Sequence, residues 1–108
     1  MKRGDSERLA DIASAIAAIR THLAAEDGAT ELKRDAILYN LLIIGEAAKA
    51  LSDEARARQP KVPWRQVGGL GDLIAHESFR IDMNEVQRIV DQDLGPLAAA
   101  VAALRKRE

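Results

Sequence analysis

The apolar residues of this chain recur at helical spacing, which predicts a series of amphipathic helices. In the first segment they follow one another at steps of three and four: Leu9, Ile12, Ile16, Ile19 and Leu23. This stripe predicts a helix over residues 6–25. Asp5 or Ser6 is placed to cap the start of that helix.

A longer stripe predicts a second helix over residues 30–58. Its members are Ile37, Leu41, Ile44, Ala48, Leu51 and Ala55. Three further apolar residues, Leu38, Leu42 and Ile43, widen the apolar arc. A helix this broadly apolar must be covered on more than one side. Since a small domain has few neighbours to provide that cover, we expect a homodimer.

The remaining helices are marked by prolines and glycines. Pro60 and Pro63 end the second helix, and a third is predicted over residues 63–76. This third helix contains three glycines, each of which weakens a helix by roughly 1 kcal/mol relative to alanine. It must therefore depend on packing for its stability. Asp82 starts a last helix with a capping-box pattern, and Pro96 is expected to kink or interrupt it.

Together these stripes predict a single all-α domain over residues 1–108 with four to five helices. The scarcity of aromatic residues agrees with helices rather than a sheet. No cysteine is present, and the two histidines lie far apart in sequence, so we expect neither a metal site nor a cofactor.

Charge and hydropathy limit which ligands and which cellular locations we expect for the chain. The formal net charge of −1 argues against a uniformly basic nucleic-acid binder, although a local basic patch stays open. The best apolar stretch is interrupted by Asn40 and Glu46, so no membrane span is predicted. The start of the chain has no signal-peptide pattern, and we expect a cytoplasmic protein.

His76 is the most distinctive candidate for chemistry, because it closes the third helix just before a charged turn. An imidazole titrates near neutrality and can act as a general base. A packing histidine at a helix end is the other interpretation, and the pattern leaves both open. Glu46, inside the apolar part of the second helix, is either a surface carboxylate or an acid that orients a base.

Basic residues cluster around the third helix. Arg56, Arg58, Lys61 and Arg65 precede His76, and Arg80 follows it. Such clusters supply the attraction to phosphate that RNA binding requires. They also occur simply as solvated helix ends. Arg65 and Lys61 are our candidates for RNA contacts.

The order and spacing of several segments resemble the HepT-like toxins of the HEPN superfamily. The segments run from Arg34-Asp35-Ala36 through Ile43-Ile44-Gly45-Glu46 and Val62-Pro63-Trp64-Arg65 to Asp72-Leu73-Ile74-Ala75-His76 and Ile81-Asp82. The resemblance covers nearly the whole chain. It implies an antiparallel up-and-down helical bundle that forms a homodimer. It also implies metal-independent ribonuclease activity and a partner antitoxin of the MNT-type nucleotidyltransferase class. The family motif is an arginine, four to six residues, a histidine, one residue and a tyrosine.

This chain keeps the histidine of that motif and departs from it at the other two positions. His76 matches the histidine, Gly71 stands at the arginine position and Ser78 at the tyrosine position. The longer permitted spacings reach Leu70 and Gly69, so neither restores an arginine. In the family, the antitoxin transfers AMP to the tyrosine of the motif. Because Ser78 stands at that position, this tyrosine modification cannot occur in the present chain.

The departures predict weak or absent cleavage, because stabilising a transition state needs a precisely placed cation. Arg80, four residues after His76, is the best substitute for the missing arginine, and Glu46 is the candidate orienter of His76. The alternative function is a non-catalytic helical module that binds a minimal nucleotidyltransferase.

Overall fold

The computed structural model describes residues 3–26, 30–77 and 80–106, and within them the chain is helical, without strands. The helices are α1 (Arg3–Ala24), α2 (Thr30–Ala50), α3 (Asp53–Ala57), α4 (Trp64–Glu77), α5 (Met83–Ile89) and α6 (Gly95–Arg105). A π-helical segment, Val90–Leu94, joins α5 directly to α6. The predicted all-α class is confirmed. With α5, the π segment and α6 taken as one continuous unit, the described parts hold five helical units.

The two longest helices pack against each other and form the centre of the bundle. Residues 25–29 connect them and can span at most about 18 Å. A helix of 22 residues is about 33 Å long, so α2 must run back along α1 in the opposite direction. The predicted stripes are buried between them, as at Ile12, Ile19 and Ile37, each 0 % exposed. The core therefore lies where the sequence pattern places it.

The start of α1 differs from the prediction. Asp5 lies inside the first turn instead of capping the helix, and it is 2 % exposed. Its Oδ1 accepts a hydrogen bond from the Ser52 backbone N–H at 2.8 Å, and its Oδ2 accepts from the Ser52 hydroxyl at 2.6 Å. A buried carboxylate is thus satisfied by the loop after α2.

The predicted helix over residues 30–58 is wrong at its C-terminal part. Helix α2 ends at Ala50, and Ser52 takes an extended conformation with ψ of 156°. Its hydroxyl accepts from the Ala55 N–H at 3.1 Å and caps α3. The pattern missed this break because Leu51 and Ala55 stay buried and keep the stripe intact across it.

The later helices follow the predicted signals with two differences. Asp82 caps α5 by accepting from the Glu85 N–H at 2.9 Å, as expected. Helix α4 is continuous despite its glycines. Just before Pro96 the α-helical pattern is interrupted, as predicted, but the chain stays helical. The π segment there accommodates a residue that lacks an N–H and crowds the preceding turn. Within the described residues, none of these helices is long and apolar enough to cross a membrane.

Candidate active site

Helices α2 and α4 cross at two glycines, and this crossing positions the predicted site. A Cβ atom added to Gly45 would lie 2.8 Å from the Gly71 Cα, which no real contact allows. A Cβ added to Gly71 would lie 3.2 Å from the Gly45 Cα. The two backbones therefore touch directly. Packing at this contact is what keeps the glycine-rich α4 helical.

The contact changes how Gly71, the arginine position of the motif, is understood. Gly71 is buried against α2, so any side chain there would start within the helix crossing. Gly69, at the longest permitted motif spacing, is exposed and an added Cβ would have no atom within 4 Å. Leu70 is half-buried and packs against the core. Gly71 therefore packs against α2, and it also lacks the positive charge that the arginine of the motif would supply.

His76 lies exposed in the last turn of α4. Among the described residues, none forms a hydrogen bond or an ion pair with its imidazole. Its charged neighbour is Asp72, one helical turn earlier, whose carboxylate interacts electrostatically with it. An imidazole this exposed is accessible to a substrate. Phe79, which would be its neighbour in the packing interpretation, lies outside the described residues.

Glu46 is exposed on α2, with 57 % of its side chain accessible. Its carboxylate forms an ion pair with Lys49 at 3.0 Å, one turn along the same helix. In the described part of the chain no hydrogen bond joins Glu46 to His76. The structure therefore brings Glu46 to the α2–α4 crossing, beside Gly45, and links it to a cation.

The predicted basic residues are distributed over several surfaces. Arg80 is 66 % accessible and pairs with Glu77 at 3.2 Å. Arg65 and Lys61 line two different clefts, so the structure does not bring them together. Lys61 lies at the edge of an apolar groove of about 820 Å³ between α4 and α6. Ser78 lies outside the described residues.

A lysine–aspartate bridge across the crossing was missed by the sequence analysis. The Lys49 ammonium donates to Asp72 Oδ1 at 2.7 Å, so it links α2 to α4. The hydrogen bond to Asp72, with a further one to Glu46, raises the pKa of Lys49. The same bond lowers the pKa of the Asp72 carboxyl. Both groups therefore stay charged through the pH range in which a histidine titrates. No sequence signal links two residues 23 positions apart.

Arg34 holds the chain that follows His76. Its Nε donates to the Ile81 carbonyl at 2.6 Å, and Ile81 is buried. This bond ties the segment after α4 back to α2. A group of three or more histidine, cysteine, aspartate or glutamate side chains that could hold a metal ion does not occur among the described residues.

Comparison with known proteins identifies the family of the chain. The model of the family described as "Ribonuclease HepT-like" matches residues 9–104. A protein of Thermococcus cleftensis named probable ribonuclease HepT is 32 % identical over 110 residues, which covers 98 % of this chain and 100 % of that protein. A candidate RNase of Methanocaldococcus jannaschii is 36 % identical over 61 residues, 56 % of each chain. A candidate RNase of Caldanaerobacter subterraneus is 32 % identical over 73 residues, which covers 68 % of this chain and 65 % of that protein. No solved structure matches the chain.

Proposed function

The chain belongs to the HepT-like ribonuclease family, and we propose that it is the toxin of a toxin–antitoxin pair, a metal-independent ribonuclease with weakened activity. The observation that carries this proposal is the exposed His76 at the end of α4, which forms no hydrogen bond with the described residues, within a chain that matches the family over residues 9–104. The proposal includes a cytoplasmic location, since the proposed substrate is RNA.

In the proposed reaction His76 removes the proton from a ribose 2′-hydroxyl. The 2′-oxygen then attacks the neighbouring phosphorus, the bond to the 5′-oxygen breaks, and a 2′,3′-cyclic phosphate forms. The leaving 5′-oxygen takes up a proton. No bond in this sequence requires a metal ion. Negative charge builds on the phosphate, which is where a cation contributes.

Cleavage is weak in this proposal because Gly71 supplies no cation to that phosphate. Arg80, the substitute closest to His76 in sequence, is exposed and already paired with Glu77. It would have to leave that pair and be held in a fixed position, which an exposed side chain does poorly. The role of Glu46 in this proposal is indirect. Its carboxylate binds Lys49 and so helps to hold that cation at the α2–α4 crossing.

The experiment is RNA cleavage by the purified protein in the presence of a metal chelator. We expect slow cleavage that His76→Ala reduces by about 100-fold or more, as removal of a general base does. His22→Ala, which changes the other histidine of the chain, serves as the matched control and should leave the rate unchanged. Equal rates for His76→Ala and His22→Ala would refute the role of His76.

The second candidate is a non-catalytic module that binds an MNT-type nucleotidyltransferase. The glycine contact at position 71 favours it, since this position serves helix packing. Stable binding of that partner without any RNA cleavage would support the module. Because Ser78 replaces the modified tyrosine, control by the partner would act through occlusion of His76 or through modification of another acceptor.

A further inference from the structure

A cleft of about 680 Å³ lies beside the α2–α4 crossing, on the opposite side of α4 from the apolar groove that Lys61 lines. Its cations come from three helices, α2, α3 and α4, and two glycines and one aromatic ring also line it. The lining residues are Lys49, Asp53, Arg56, Ala57, Trp64, Arg65, Gly68, Gly69 and Asp72. We call this surface the basic cleft. Its opening faces solvent, and neither glycine adds a side chain that would fill it.

Gly68 gives the Lys49 side chain its position. A Cβ atom added to Gly68 would lie 2.7 Å from Lys49 Cγ. The aliphatic part of Lys49 therefore lies across α4 in the space that Gly68 leaves. Its ammonium is thereby carried to Asp72, one turn before His76. A flexible surface lysine becomes a cation in a defined position.

Arg65 completes the positive charge of the basic cleft. It is exposed, and within the described residues it takes part in no ion pair. The two other cations of the cleft, Lys49 and Arg56, are both paired with carboxylates, so Arg65 is the one whose charge is available to a ligand among the described residues. Arg65, Gly69, Asp72 and His76 follow at steps of four, three and four, so they share one face of α4. Arg65 and His76 are about 16 Å apart along the helix axis.

Trp64 supplies a rigid flat surface in the same cleft. Its indole N–H donates to the backbone carbonyls of Arg56 at 3.1 Å and Gln59 at 3.0 Å, which fixes the ring. The ring is only partly buried and lines the cleft. An aromatic face beside arginines is the combination with which proteins hold unpaired nucleotides. An acidic protein segment would bind to the cations and would not require the aromatic ring.

We propose that the basic cleft binds a backbone phosphate of single-stranded RNA through Arg65 and Lys49, with an unpaired base against Trp64. The strand then follows the shared face of α4 from Arg65 toward His76. This inference deepens the proposed function and rests on it for the identity of the ligand.

The test uses an oligonucleotide that cannot be cut, a single-stranded 2′-O-methyl RNA, and the fluorescence of Trp64. Because Trp64 is the only tryptophan in the sequence, its emission reports from the cleft alone. We expect saturable quenching. Arg65→Gln should weaken binding about fivefold and reduce the slope of log K against log salt by about 0.7, the value for one lost phosphate contact on a single strand.

Arg20→Gln is the matched control, because Arg20 is also exposed and free of ion pairs among the described residues. Arg65→Lys, which keeps the charge, should restore most of the salt slope. Equal binding by Arg65→Gln and Arg20→Gln, or unchanged Trp64 emission on adding the oligonucleotide, would overturn the proposal. If one of these two results were found but the protein still cleaved ordinary RNA, the proposed function would stand and only the role of the cleft would be refuted. Binding through the cleft without cleavage would contradict only the function.

Asp72→Asn separates a phosphate site from a merely structural ion pair. If Lys49 serves only to hold α2 and α4 together, this change should not strengthen oligonucleotide binding. In our proposal it removes one of the two carboxylates that compete with phosphate for the Lys49 ammonium, the other being Glu46, so binding becomes tighter. Asp91→Asn, at an exposed position in the π segment, is the control. Weaker or unchanged binding by Asp72→Asn would count against Lys49 as a phosphate contact.

Discussion

At the scale of single residues, position 71 shows how a sequence motif and a structure complement each other. Gly71 stands at the position where the motif has an arginine. In the structure, the Gly71 backbone also contacts the Gly45 backbone. The location of His76 could be predicted from the sequence. Its charged surroundings could not, because Lys49 reaches Asp72 only through tertiary packing across the space at Gly68.

Asp5 is the buried charged residue on which we expect the fold to depend. Asp5→Ala leaves the Ser52 N–H and hydroxyl without their acceptor and should lower the free energy of unfolding by about 2–3 kcal/mol. Urea denaturation measures this. Asp11→Ala, at an exposed position on the same helix, should change it by less than about 0.5 kcal/mol. Similar losses for the two variants would show that the Ser52 contacts do not stabilise the protein.

At the scale of the elements, hydrophobic periodicity predicted the helices but not where they break or touch. The second helix breaks at Ser52, and the signal for that break is Asp5, a residue 47 positions away. An isolated Gly45 in an apolar helix, together with three glycines in α4, was the available sign of a close crossing. Periodicity does not pair such glycines, because pairing depends on how the helices are packed.

The α2–α4 crossing predicts opposite effects for two glycine-to-alanine changes. Gly45→Ala puts a Cβ atom against the Gly71 backbone and should destabilise the protein by about 1–3 kcal/mol. Gly69→Ala meets no atom and should stabilise it by up to about 1 kcal/mol through helix propensity. Thermal and urea unfolding compare the two. A stabilising Gly45→Ala would mean that the two backbones do not touch.

At the scale of the whole molecule, apolar side chains remain exposed on the α2 surface. Leu32 is 69 % exposed and Tyr39 is 63 % exposed, and seven residues, two helical turns, separate them. Leu73 on α4 is 43 % exposed. Neighbouring exposed apolar groups favour association between chains. They support our proposal of a homodimer, which the sequence analysis based on the width of the α2 stripe.

We therefore expect Tyr39→Glu to convert a dimer into a monomer, because it places a charge in the apolar surface. Sedimentation velocity of the unchanged and altered proteins measures the mass. Ala17→Glu introduces the same charge at an exposed position on α1 and should leave the dimer intact. A dimer that tolerates Tyr39→Glu as well as Ala17→Glu would place the interface elsewhere.

We propose that this member of the HepT-like family cleaves RNA weakly because position 71 carries no arginine. The most direct measurement is the RNA cleavage rate of the unchanged protein beside Gly71→Arg and Gly71→Ala, with each protein shown to be folded. Gly71→Ala introduces the same Cβ crowding against Gly45 without the charge. We predict that Gly71→Arg cleaves faster than both other proteins. A rate for Gly71→Arg no higher than that of the unchanged protein would contradict the claim.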